Sequence, residues 1–143
     1  MINCIITGGN SGIGFQAALQ LAEKGHHVTL ICRNESRAKQ ACQNISLQSN
    51  NKNVEYLIAD LSKMNDIREA VKQYKSKGIT LDVLINNAAD FDLSVKEPVF
   101  TEDGLEKQFA TNVVAPYLLT KLFLADLKNS TRGKIINISS QGL

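Results

Sequence analysis

No apolar run in this chain of 143 residues is long enough to span a bilayer, and no low-complexity tract or repeat interrupts it. Charge of one sign is also missing. The formal net charge is +2 with acids and bases interleaved throughout, so the dense basic stripe of a nucleic-acid binder is absent. Cysteine occurs three times, at Cys4, Cys32 and Cys42. The odd number and the spacing fit neither zinc nor a redox motif, and small buried or half-buried thiols in a reducing compartment are expected. The N-terminus runs straight into a strand pattern, Ile2 to Thr7, with no leader or anchor segment, which predicts a soluble, cytoplasmic protein. What is present is ordinary for a globular chain: 43% hydrophobic and 21% charged residues. A chain of this length buries roughly two-thirds of the surface it exposes when unfolded.

Short apolar runs alternate with amphipathic stretches of helical length. Strands are predicted at Cys4 to Ile6, His27 to Ile31, Val54 to Ala59, Leu81 to Ile85 and Lys134 to Ile138. Each run is largely continuous rather than alternating, as in strands covered on both faces. Helices are predicted at Ile13 to Lys24, Ser36 to Gln48 and Lys63 to Lys77, and at Thr101 to Leu127 in one or two pieces. Gly25 and Gly78 close the first and third helices, and Gly133 precedes the last strand. The alternation implies a single α/β domain over residues 1–143, a Rossmann-like doubly wound parallel sheet with right-handed crossovers.

The sharpest local feature lies between the first strand and the first helix: Thr7, Gly8, Gly9, Asn10, Ser11, Gly12, Ile13 and Gly14. Glycine there permits a tight turn and lets backbone N–H groups reach an anion, which the helix N-terminus then favours. The reading Thr-Gly-x-x-x-Gly-x-Gly suits a pyrophosphate. The literal Gly-x-Gly-x-x-Ala match that starts at Gly12 falls inside the helix instead, and the Gly-Lys-Ser/Thr of a triphosphate loop is missing. A glycine-rich turn with no ligand is the plainer alternative.

With this turn the chain resembles the short-chain dehydrogenase/reductase family, in particular its retinol-dehydrogenase-like members. The resemblance continues through Cys32-Arg33-Asn34 after strand two and Asp60-Leu61-Ser62 after strand three. Leu84-Ile85-Asn86-Asn87-Ala88-Ala89 follows at strand four, then Gly104 to Phe109 leading to Asn112, and Ile136 to Ser140 at strand five. These motifs sit at strand carboxyl ends, where open parallel sheets bind ligands. The resemblance implies a dinucleotide held by Thr7, Gly8, Asn10, Ser11, Gly12, Ile13 and Gly14, with Arg33 and Asn34 at the adenosine ribose. Asp60 and Leu61 would meet the adenine, and Asn87 and Ala88 the nicotinamide ribose. Asn87 equally suits a loop residue that ties neighbouring strands.

An acidic residue at the end of strand two marks NAD-binding chains. Here Arg33 stands in that place and no acid follows until Glu35. A guanidinium can grip a 2′-phosphate in bidentate fashion where a carboxylate would repel it, so NADP(H) is expected over NAD(H), with Arg37 adding to the field. An ordinary solvated arginine is the alternative, and Ser11 stands where some NADP-preferring relatives carry a second basic residue.

By resemblance the reaction is hydride transfer between the nicotinamide and a small carbonyl or alcohol substrate, with Asn112 and Ser140 as catalytic residues. Pro116, four residues after Asn112, has no N–H, so the Asn112 carbonyl is free for a water unless the proline is only a kink. Alternation along the strand is expected to turn Ser139 away from Ser140. The family's tyrosine and lysine should follow Ser140, and only Gln141, Gly142 and Leu143 remain. The chain is therefore expected to be an amino-terminal fragment, lacking the carboxyl-terminal strands and inactive alone. Tyr117 and Lys121 make a literal Tyr-x-x-x-Lys, but it precedes the serine strand. On an ideal helix Tyr117 lies about 140° around from Asn112. Two apolar faces on Val113 to Leu127 and an open edge at strand five predict a homo-oligomer. The competing reading is a non-catalytic nucleotide-binding or dimerisation fragment. A sugar epimerase is disfavoured by glycine spacing.

Overall fold

The computed structural model describes residues 1–140. Five strands, β1 (Asn3–Thr7), β2 (His27–Cys32), β3 (Val54–Ile58), β4 (Val83–Asn86) and β5 (Lys134–Asn137), form one parallel sheet in the order β3-β2-β1-β4-β5. Successive side chains of a strand point to opposite faces, and the core divides accordingly. Ile5, Ile31 and Leu84 pack with α3 (Met64–Ser76) and α5 (Ala115–Asn129). Cys4, Ile6, Val28, Leu30 and Ile85 pack with α1 (Gly12–Glu23) and α2 (Glu35–Ser49). Helices thus cover both faces, as the continuous apolar strands require. A fully buried Ile or Leu in such a core contributes about 1.5–3 kcal/mol. On the α3–α5 side Tyr74 and Phe123 meet edge to face, ring centroids 5.6 Å apart.

The three cysteines are free and buried, and burial pushes the Cys4 and Cys42 thiols up to about 12 and Cys32 to about 11. No helix of the described residues is long and apolar enough to cross a membrane.

β5 differs from its neighbours. It pairs only with β4 among the described residues, and Ile135 and Ile136, whose side chains alternate across the sheet, remain 38% and 42% exposed. Its apolar run predicts two covered faces, and both are only partly covered here.

The helix expected to start at Thr101 starts at Lys107. Thr101 to Leu105 is a tight turn, with the Thr101 N–H bonded to the Leu105 carbonyl at 2.8 Å and Gly104 at φ +72°. The Glu106 carboxylate then accepts from the Gln108 and Phe109 N–H groups and caps α4 (Lys107–Phe109). That turn also caps a distant helix. Asp103 Oδ2 accepts the Met64 N–H of α3 at 3.0 Å, where the N-cap residue Lys63 offers no side-chain bond. Asp103→Ala should therefore lower stability by about 1 kcal/mol, while Asp103→Asn should keep most of it. Urea unfolding checks this, and equal midpoints for the alanine variant and the wild type would remove the cap from the account.

A candidate dinucleotide and active site

β1 has β2 on one side and β4 on the other, so the chain reverses its direction of travel across the sheet between β1 and β4. The crevice at the carboxyl ends of these two strands is where such sheets bind ligands. The glycine turn leaves β1, and Asn87-Ala88-Ala89 leaves β4. Thr7 joins them: its Oγ1 accepts the Asn87 and Ala88 N–H groups, both at 3.0 Å, and the Asn87 amide donates to the Thr7 carbonyl at 3.0 Å. Asn87 is thus a structural tie on the wall of the crevice. Thr7→Val leaves two part-buried N–H groups without a partner and should cost about 2 kcal/mol in thermal or urea unfolding. Thr7→Ser keeps the oxygen and should cost clearly less, and a serine variant as unstable as the valine variant would refute the hydroxyl's role.

Close approach restricts two glycines of the turn, Gly14 most of all, while Gly12 is set apart by its φ of +56°. A Cβ on Gly14 would lie 2.5 Å from the Asn87 amide nitrogen and 2.5 Å from the Gly8 carbonyl oxygen. One on Gly9 would meet the Leu30 side chain at 2.5 Å. Past the turn, Ser11 is the extended N-cap of α1 but makes no side-chain cap bond, and the first turn holds no acidic residue. The N-terminus of this twelve-residue helix is therefore left uncapped and electropositive beside the crevice, which suits an anionic group. Ile13 stands 71% exposed at that terminus.

A cleft of about 300 Å³ collects Gly8, Asn10, Arg33, Asp60, Leu61 and Ala88. Ser11, Gly12 and Gly14 lie at the adjoining helix start, and Asn34 stays outside the cleft lining: its side chain accepts the Arg37 N–H at 2.9 Å and caps α2. Arg33 is exposed and makes no ion pair among the described residues. Asp60 is held from several sides. Its N–H donates to Asp66 Oδ2 at 3.0 Å, and its Oδ1 accepts the Ser62 N–H and hydroxyl at 3.0 and 2.7 Å. Burial raises the Asp60 pKa, but the Ser62 bonds and the charges of Arg33 and Lys63 outweigh it, so the carboxyl titrates below its ordinary value and is ionised at neutral pH.

Ile13, Asn87, Ala88, Asn112 and Ser140 all line a second, larger cavity of about 790 Å³. Ser139 lines it as well, so the expected alternation does not separate the two serines: β5 ends at Asn137, before either of them. Between α4 and α5 the backbone widens into a π turn, Ala110–Val114, and the Ala115 N–H reaches the Ala110 carbonyl five residues back. The Asn112 side chain does something the sequence did not suggest. It clasps the main chain of Asp90, accepting its N–H at 2.7 Å and donating to its carbonyl at 2.8 Å.

Between Asn112 and Tyr117 the chain runs partly through this turn, so the angle counted on an ideal α-helix does not apply unchanged. Tyr117 is among the residues lining the cavity and Lys121 is not. Other residues of the two cavities were not singled out from sequence: Asn86, whose amide donates to Asn137 Oδ1 at 2.9 Å, and Asp90, Asp92, Lys107 and Thr111. Asn86 and Lys107 stand inside the strand-four and Gly104–Phe109 motifs with no role assigned to them, and the sequence signal for Asp90, Asp92 and Thr111 is adjacency to those motifs and to Asn112.

A parallel sheet with a glycine turn, an uncapped helix start and a polar cleft at its switch point defines a dinucleotide-binding Rossmann-like fold. A family model described as short chain dehydrogenase matches residues 3–142, and the chain belongs to that family. It is 41% identical over 139 residues to dehydrogenase/reductase SDR family member 12 of Bos taurus, covering 97% of this chain and 43% of the relative. It is 39% identical to the polyprenol dehydrogenase of Homo sapiens, covering 95% of this chain and 42% of that one. A metagenomic short-chain oxidoreductase solved in complex with NADP superposes with a TM-score of 0.84 at 28% identity, over 99% of this chain and 63% of the other. The chain therefore spans less than half the length of these two curated relatives.

Proposed function

We propose that this chain is the cofactor-binding part of an NADP(H)-dependent oxidoreductase acting on a small carbonyl or alcohol substrate. The observation that carries the cofactor choice is Arg33, exposed and without an ion-pair partner among the described residues at the end of β2, in the same cleft as Asp60. The NADP complex of a solved relative supports the same choice. Arg33 would hold the 2′-phosphate, Asp60 and Leu61 the adenine, the Asn10–Gly14 turn the pyrophosphate, and Ala88 the nicotinamide ribose. When bound, the nicotinamide gives or takes the hydride. Ser140 would hydrogen-bond the substrate oxygen. The Asn112 carbonyl has no i→i+4 donor, because that residue is Pro116, and would keep a water in place for proton transfer.

The family's proton-donating tyrosine and its lysine have no counterpart between Ser140 and Leu143. The 143-residue chain by itself is thus proposed to bind nucleotide without turning over substrate. Calorimetric titration with NADPH and NADH tests the binding, and a stopped assay for carbonyl reduction tests the rest. Binding of NADPH in preference to NADH, with no turnover, is the expected pair of results. Equal affinity for the two nucleotides would overturn the preference.

Exposure of both faces of β5, with Val113 and Tyr117 exposed on the adjoining helical segment, supports self-association. Ala115, Leu119, Phe123 and Leu127 face the sheet, and Leu118 and Leu122 are half-covered by the same core, so Val113 and Tyr117 mark the surface left over. Light scattering should find oligomers, and a clean monomer at micromolar concentration would contradict this.

A further inference from the structure

The wall of the nucleotide cleft carries charge of the wrong sign as well. Asp90 and Asp92 line it together with Asp60, while Arg33 and Lys107 are the cations of that lining. A phosphate-bearing nucleotide would meet three carboxylates there. Asp90 cannot withdraw with its backbone, because the Asn112 amide clasps its N–H and its carbonyl at 2.7 and 2.8 Å. Its side chain is 25% exposed, so water screens it only in part. Among the described residues the one cation within ion-pair distance is Lys107, with Nζ 3.8 Å from Asp90 Oδ2.

Lys107 is itself placed against the preference of its own helix. It is the first residue of the helical stretch that runs on through the π turn into α5, and basic groups are disfavoured at a helix N-terminus by the aligned peptide dipoles. Its backbone is nonetheless firmly seated. The N–H donates to the Val99 carbonyl at 2.8 Å, and its carbonyl accepts the Thr111 hydroxyl at 2.9 Å. A residue set against local helix preference and still held in a ligand cleft has its reason in tertiary structure. The charge reaches Asp92 too, whose carboxyl is held below its ordinary value first by the hydrogen bonds from Ser94 and also by Lys107.

We propose that Lys107 is a positioning residue of the nucleotide cleft: its ammonium offsets Asp90 and Asp92, so that this wall no longer repels an anionic dinucleotide. It acts through these carboxylates rather than by touching the ligand. The inference rests on the dinucleotide reading given above.

The test is a set of four proteins titrated with NADPH and with 2′,5′-ADP: wild type, Lys107→Met, Asp90→Asn, and the double variant. Thermal unfolding establishes that each is folded. Lys107→Met should weaken both ligands about three- to tenfold at low salt, the size expected for one charge acting across several ångströms in partly screened surroundings. The loss should shrink in 0.5 M salt, as surface electrostatics do at about that ionic strength. Asp90→Asn in the Lys107→Met background should restore affinity to within about twofold of wild type, since the neutral amide leaves less charge to offset. Asp90→Asn alone should bind at least as well as wild type, which keeps the idea testable even if the lysine variant fails to fold. A Lys107→Met variant that binds like wild type overturns the proposal. So does a loss that Asp90→Asn does not repair, because Lys107 would then contact the nucleotide directly or support the fold. A wild-type chain that binds neither ligand overturns the dinucleotide reading itself and this inference with it, a result distinct from the other two.

Discussion

Gly14→Val is expected to abolish NADPH binding and to lower the stability of the chain by about 1–3 kcal/mol, the range for forcing extra atoms into packed space. The cause is geometric. The first added carbon would sit 2.5 Å from both the Asn87 amide nitrogen and the Gly8 carbonyl oxygen. Either the β1 turn moves away from the β4 loop or Asn87 gives up its bond to the Thr7 carbonyl. Both responses open the crevice at the switch point. Gly25→Ala is the control: nothing lies within 4 Å of a Cβ there, but φ is +77°, so it should cost about 1–2 kcal/mol in unfolding from backbone strain alone and leave NADPH affinity unchanged. Calorimetry on the three proteins separates the effects. If Gly14→Val still binds NADPH with wild-type affinity, the glycine turn is not the pyrophosphate cradle.

Arg33→Asp should weaken NADPH binding about ten- to hundredfold, the equivalent of losing one or two charge-assisted hydrogen bonds, and leave NADH binding equal or better. The guanidinium is exposed and without an ion-pair partner among the described residues, and its charge helps keep Asp60 ionised. A carboxylate in its place would repel a 2′-phosphate and accept a hydrogen bond from a ribose hydroxyl instead. Fluorescence titration with both nucleotides reads the switch. Unchanged NADPH affinity would return Arg33 to the ranks of solvated surface arginines. Arg33→Lys should fall between, since a point charge replaces a planar fork.

Much of the molecule was legible before any coordinates. The continuous apolar runs and their order predicted a parallel sheet, and the strands lie within about two residues of the predicted ranges. The glycine turn, Arg33, Asp60-Leu61 and Asn87-Ala88 were readable because each follows directly on a strand end, where local sequence determines backbone direction. Thr101 to Glu106, predicted as the start of a helix, is a turn instead, and the antiparallel bridge between Phe100 and Glu106 that closes it is a contact of the folded chain.

The sequence by itself determined the class of fold and the family, since periodicity, glycine and strand-end motifs are properties of neighbours along the chain. Only the tertiary structure decided which groups meet across it. Asp103 caps a helix that starts 39 positions earlier, Asn112 clasps Asp90, and Lys107 faces that same aspartate. Tyr117 and Asn112 share one cavity lining, on either side of the end of a π turn that an α-helical count leaves out. Such pairings depend on distance in space after the sheet has formed, and a one-dimensional pattern carries no term for that distance.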